Sequence, residues 1–236
     1  MKMPIPVDGG AIDGYLATPQ AAISGAPPWP GVVIVHDAIG MSDDIRTIAD
    51  RFATGGYLAL VPDLYTRGGF LRCVRSVMGQ LRAGSGPAFE NIEASRTLLA
   101  DRAESTGKIG VVGFCMGGGF ALATAARGFE ASAPYYGRLP QDEDALSGAC
   151  PIVASYGAKD HGELRGAAAR LEKLLTERDI PHDVKEYPEA THGFANRTSV
   201  GPFGPILRFA GFGYHHDSAE DAWQRVFNFF ASHLRS

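Results

Sequence analysis

The chain has 236 residues, 45% of them hydrophobic and 20% charged, which suits one α/β domain over residues 1–236 with a sizeable core. Its 22 Lys and Arg stand against 26 Asp and Glu, for a net charge of −4, and no basic run occurs, so neither nucleic acid nor an anionic membrane surface is an expected partner. Three cysteines, Cys73, Cys115 and Cys150, make no disulfide framework. No stretch approaches the roughly 20 apolar residues of a bilayer span and no apolar leader opens the chain, so the expected location is the cytoplasm.

In chain order, residues 20–30 are rich in Ala, Gly and Pro and read as a loop. Gly31–His36 is apolar on both faces, as a buried central strand must be. Ser42 and Asp43 start a helix with Ile45, Ile48, Ala49, Phe52 and Ala53 at helical spacing, and Gly55 and Gly56 end it. Tyr57–Val61 is a second buried strand. Residues 66–86 scatter Arg67, Arg72, Arg75 and Arg82 among glycines, an irregular lid-like excursion with one short helix. A helix over 87–103 and a strand over Lys108–Phe114 follow. The small-residue helix Met116–Ala126 comes next, then strands Ser132–Tyr136 and Pro151–Tyr156. Leu164, Ala168, Leu171, Leu174 and Leu175 form the stripe of a helix ending near Asp179. Pro181–Tyr187 is the last strand. A final helix faces the core with Ala219, Ala222, Trp223, Val226, Phe227, Phe230 and Leu234. Strands separated by helices imply a mostly parallel sheet with helices on both faces.

The most informative stretch is Gly113-Phe-Cys-Met-Gly-Gly118. It is a G-x-S-x-G pattern with Cys115 in the serine position, in the strand–turn–helix setting that a nucleophile elbow needs. A sharp turn strains the backbone at the nucleophile, so residues two before and two after must be very small, as Gly113 and Gly117 are. The helix starting at Met116 aims free N–H groups at the site, and its dipole favours a thiolate.

A sulfur nucleophile needs a base, and the base an orienting acid. On the α/β-hydrolase fold the chain order is nucleophile, acid, histidine. Asp160 follows the strand Pro151–Tyr156, and His192 follows the strand ending at Tyr187, so both fall on loops at carboxyl ends of strands. The order Cys115, Asp160, His192 fits. Gly193 frees the backbone for a tight turn. Of the other histidines, His36 ends a strand and can line the site. His161 adjoins Asp160 but points elsewhere, and His182 begins a strand. His215 and His216 precede the last helix, and with Asp217 they lack metal-ligand spacing. His233 lies on that helix, exposed. No metal and no cofactor is expected.

Val35-His-Asp-Ala-Ile-Gly40, Val61-Pro-Asp-Leu-Tyr65, Gly113-Phe-Cys-Met-Gly-Gly118, Tyr135-Tyr-Gly137, Tyr156-Gly-Ala-Lys-Asp160 and Thr191-His-Gly-Phe194 together resemble the dienelactone hydrolase family of α/β-hydrolases. The resemblance implies hydrolysis of small esters or lactones, with Cys115, Asp160 and His192 as the triad. It also implies an oxyanion hole at the backbone N–H groups of Ala38 and Met116. The family keeps a Glu beside the nucleophile where this chain has Asp37, one methylene shorter. Four residues after the histidine, its dienelactone enzymes carry a carboxylate-binding Arg; here Asn196 stands there, with Arg197 next to it. Two alternatives remain on the same fold: a binding protein that does not hydrolyse its ligand, and an acyltransferase that excludes water.

Overall fold

The structure is a computed structural model that describes residues 1–197 and 213–235. Eight strands form one sheet: β1 (Lys2–Val7), β2 (Gly10–Ala17), β3 (Trp29–Val35), β4 (Leu58–Pro62), β5 (Ser105–Phe114), β6 (Ala131–Tyr135), β7 (Ile152–Gly157) and β8 (His182–Tyr187). Their order is β1-β2-β4-β3-β5-β6-β7-β8. β1 and β2 are antiparallel, as are β2 and β4. From β4 to β8 every pairing is parallel. This is the α/β-hydrolase architecture expected from the sequence.

The helices are α1 (Ala21–Ser24), α2 (Asp43–Thr54), α3 (Phe70–Ala83), α4 (Pro87–Ala100), α5 (Met116–Ala123), α6 (Ala167–Glu177) and α7 (His216–Leu234). The two-residue period of the strands sorts them. Val32 and Ile34 of β3 face one core with α2 and α7, where Phe52, Trp223 and Phe230 interlock. Val33 and Val35 face the other, with Val77 of α3, Phe89 and Ile92 of α4 and Phe120 of α5. α6 closes a third cluster over β7. Ser42 caps α2 by accepting the Ile45 N–H at 3.2 Å, a bond worth about 1 kcal/mol. Arg51 of α2 grips Glu220 of α7 with two hydrogen bonds, 3.1 and 2.7 Å.

Three elements depart from expectation. The excursion over 66–86 holds a regular 14-residue helix, α3, whose buried side is Cys73 and Val77. Two strands open the chain, joined through Asp8-Gly9, with Ile5, Ile12 and Leu16 turned inward. The segment read as a loop over 20–30 contains the single turn α1 and the first two residues of β3.

Candidate active site

The parallel strands deliver the chemistry-bearing residues to one edge of the sheet, the carboxyl edge, where open α/β folds place ligands. β3 ends into His36 and Asp37, β5 into Cys115, β7 into Asp160 and β8 into His192.

Cys115 sits between β5 and α5 with φ 56° and ψ −112°, a conformation costly for a residue with a side chain. The cost is borne because the turn is wedged into the sheet. A Cβ on Gly113 would lie 1.9 Å from the Gly117 carbonyl oxygen, and one on Gly117 would lie 2.1 Å from that of Val35. The Cys115 N–H also donates to the Tyr135 carbonyl at 3.1 Å. The half-buried sulfur therefore stands at the first turn of α5, whose leading N–H groups have no acceptor within the helix.

The acid and histidine loops are zipped together. Ala158 N–H donates to the Tyr187 carbonyl and Lys159 N–H to that of Ala190, both at 3.0 Å. His192 Nδ1 lies 3.1 Å from Asp160 Oδ2, and Asp160 is buried. Gly193 turns the chain after the histidine at φ 73°. Burial works against a charged imidazole, but its hydrogen bonds to Asp160 and to Cys115, with their charges, outweigh it and hold His192 up at about 10. Those two bonds line up Cys115, His192 and Asp160. The Tyr136 ring packs on the imidazole, with centroids 5.1 Å apart.

Asp37 is buried beside this line. Its Oδ1 accepts the Ile39 N–H at 2.8 Å, so the side chain braces its own loop. Burial pushes its carboxyl up, opposed by the Ile39 N–H, while the negative charge of Asp44 adds to the rise. The loop carrying Ala38 is pinned again by the Tyr65 hydroxyl, which donates to the Ala38 carbonyl at 3.2 Å and lies 3.7 Å from Met116 Sδ. Tyr65 thus bridges the two residues expected to supply the oxyanion hole.

Asn196 is engaged at both ends. Its Oδ1 accepts the Tyr136 hydroxyl, and its Nδ2 donates to Asp44 Oδ2 at 2.9 Å. In the sequence Tyr65 and Tyr136 stood out only as parts of the resembling stretches, with no role, and Asp44 did not stand out at all. The signal for the two tyrosines was position, since Tyr65 follows β4 and Tyr136 follows β6 at the same sheet edge.

Several of the remaining histidines serve the scaffold, while His161 is exposed beside Asp160. His36 is fully buried, with Nδ1 donating to the Asp37 carbonyl at 2.7 Å and Nε2 accepting the Leu64 N–H at 3.2 Å. Burial lowers its pKa. His182 bonds the Ile180 carbonyl, and His215 caps α7. His216 is the first residue of α7. His233, expected exposed, is half-buried against Phe229. Arg72, Arg75 and Arg82 are exposed on α3, and Arg67 reaches the Asp8 carbonyl. Among the described residues, no three His, Cys, Asp or Glu cluster to hold a metal, and no helix is long and apolar enough to cross a membrane.

Residues 12–234 match the family described as the Dienelactone hydrolase family. A Yersinia pestis protein named "Putative carboxymethylenebutenolidase" is 26% identical over 97% of this chain and 86% of its own length. "Protein usf" of Aquifex pyrophilus is 30% identical, covering 96% of each. The crystal structure of a "Putative Dienelactone Hydrolase" from Klebsiella pneumoniae superposes with a TM-score of 0.78 at 25% identity, over 98% of this chain and 97% of the other.

Proposed function

Since this chain belongs to the dienelactone hydrolase family, a group of ester and lactone hydrolases, we propose that it hydrolyses a small ester or lactone through a covalent acyl-enzyme on Cys115. The observation that carries the reading is the hydrogen-bonded line from Cys115 through His192 to Asp160 at the carboxyl edge of the sheet.

In the resting site the proton shared by the sulfur and the imidazole rests on His192, whose hold on it is strengthened by Asp160 and Cys115. The sulfur attacks the substrate carbonyl. Negative charge moves onto the carbonyl oxygen, facing the N–H groups of Ala38 and Met116, each such donor being worth about 3 kcal/mol. The carbon–oxygen bond then breaks, and the departing alkoxide takes the proton from His192. A thioester remains. Acylation removes the sulfur's charge, one of the causes that hold His192 up, so its proton affinity falls and the neutral imidazole can act as base. It takes a proton from water, the hydroxide adds to the thioester carbon, and the carbon–sulfur bond breaks to give the acid and the resting pair. Asp160 fixes the tautomer throughout. Asp37 holds the Ala38 loop in shape. A thiolate leaves more readily than an alkoxide, so lactones and activated esters suit this nucleophile best. A reducing cytoplasm would keep the thiol in its active form.

Replacing Cys115 with Ala should cut turnover of p-nitrophenyl acetate and simple enol-lactones on the order of 10⁴-fold. Mass spectrometry of the wild type should find a transient acyl group on Cys115. Undiminished turnover by the variant would remove the proposal. Product analysis with added alcohols separates hydrolysis from acyl transfer, and ligand binding without turnover would mark a binding protein.

A further inference from the structure

Among the described residues near the reacting sulfur, charge is unevenly spread. On one side stand two carboxylates. Asp37 is buried and spends its oxygens on backbone N–H groups of its own loop. Asp44, half-buried in the first turn of α2, accepts from Asn196. Asn196 is already held at both ends, its carbonyl oxygen accepting the Tyr136 hydroxyl, and its neutral amide cannot offset a substrate's charge. The nearby cation Arg197 is exposed and laid over the Tyr214 ring, 4.6 Å from its centroid and 2.8 Å from its hydroxyl. It feels Asp44 and Glu220 as well as the tyrosine.

The other side is apolar. Ile39, next to the expected oxyanion donor Ala38, is 42% exposed, and Phe70 at the start of α3 is 53% exposed. Phe70 packs edge-on against Tyr65, with centroids 5.9 Å apart, and Tyr65 in turn touches Met116. These rings lead from solvent to the residue after the nucleophile.

We propose that the site selects neutral esters and lactones with apolar acyl groups, held by Ile39, Tyr65 and Phe70. A substrate bearing a second carboxylate is turned away by Asp37 and Asp44. The inference rests on the reading of Cys115 as nucleophile. Two like charges some 6–8 Å apart near a protein surface repel enough for a discrimination of roughly 10- to 100-fold.

The test compares p-nitrophenyl butyrate with the mono-p-nitrophenyl ester of succinate, which has the same chain length but ends in a carboxylate. Wild type should favour butyrate by at least about 10-fold in kcat/KM. Added salt should narrow the ratio, because screening weakens charge repulsion and leaves shape unchanged. Asp44→Asn should narrow it about 3-fold or more. Phe70→Ala should lower the preference for hexanoate over acetate by a similar factor, since contact worth about one buried methylene is lost in all. Equal rates on the two esters, or a ratio that neither salt nor Asp44→Asn moves, overturns the inference while leaving the nucleophile in place. Turnover of both esters that survives Cys115→Ala overturns the underlying reading instead.

Discussion

The elbow around Cys115 and the start of α3 lie on the same edge of the sheet, yet they are built on opposite terms. At the elbow, backbone packs on backbone: all eight residues of α5 are buried, and Gly113, Gly117 and Gly118 each leave no room for one more carbon. At α3, Phe70 and Leu71 are 53% and 72% exposed, and added carbons at Gly69 and Gly79 would meet open space. The groups proposed to react are thus fixed by main-chain contacts that tolerate no change. Phe70, one of the groups proposed to choose the substrate, stands on a segment with open space around it. Precision of the reacting atoms demands the first arrangement, and adaptability demands the second.

The sharpest way to break this contrast is an extra methyl group in each region. Gly117→Ala places a carbon 2.1 Å from the Val35 carbonyl oxygen, and should cost at least about 4 kcal/mol of stability in urea unfolding. A loss below about 1 kcal/mol would show that the elbow is looser than its packing implies. Next in size, Asp160→Asn should lower kcat on the order of 10³-fold while stability changes much less, because it disturbs the imidazole tautomer and not the packing.

A third measurement uses pH. The folded-state pKa of His192, about 10, lies above the unfolded value near 6.5. Its stabilising contribution is therefore complete below about pH 6.5 and is lost as pH climbs through about 10. The stability advantage of wild type over His192→Gln should shrink by a few kcal/mol across that window. An advantage that grows with pH would contradict the Asp160 and Cys115 contacts. The smallest effect belongs to the open region: Gly79→Ala, mid-helix in α3, should stabilise by about 0.5–1 kcal/mol. A destabilisation would mean that this face of α3 is covered.

The same contrast explains what was legible in the sequence. β3, β4 and β7 announced themselves because they are buried on both sides and so must be apolar throughout. The elbow was legible because its spacing follows from steric necessity. α3 was not: its stripe of Cys73, Val77 and Leu81 is only one residue wide, and Gly79 with Arg72, Arg75 and Arg82 obscures it. The β1–β2 hairpin had a signal in Asp8-Gly9 between alternating residues, weakened by Pro4 and Pro6. The bond between Asn196 and Asp44 joins residues 152 positions apart and leaves no local pattern, so only the folded chain brings them together. Asp37 was expected from its position, but its hydrogen bond to Ile39 N–H follows from a turn geometry that spacing alone does not give.

The order of the strands has a consequence for life in a crowded solution. The sheet ends at β1 on one border and β8 on the other, and an unguarded border invites a neighbouring molecule to add its own strand. Pro4 and Pro6 strip β1 of two donors. β8 reads His182-Asp-Val-Lys-Glu-Tyr187, a charged fringe that an incoming chain would have to desolvate. Both borders are thereby poor templates for an added strand, so the sides of the sheet are guarded while its carboxyl edge stays open to small molecules.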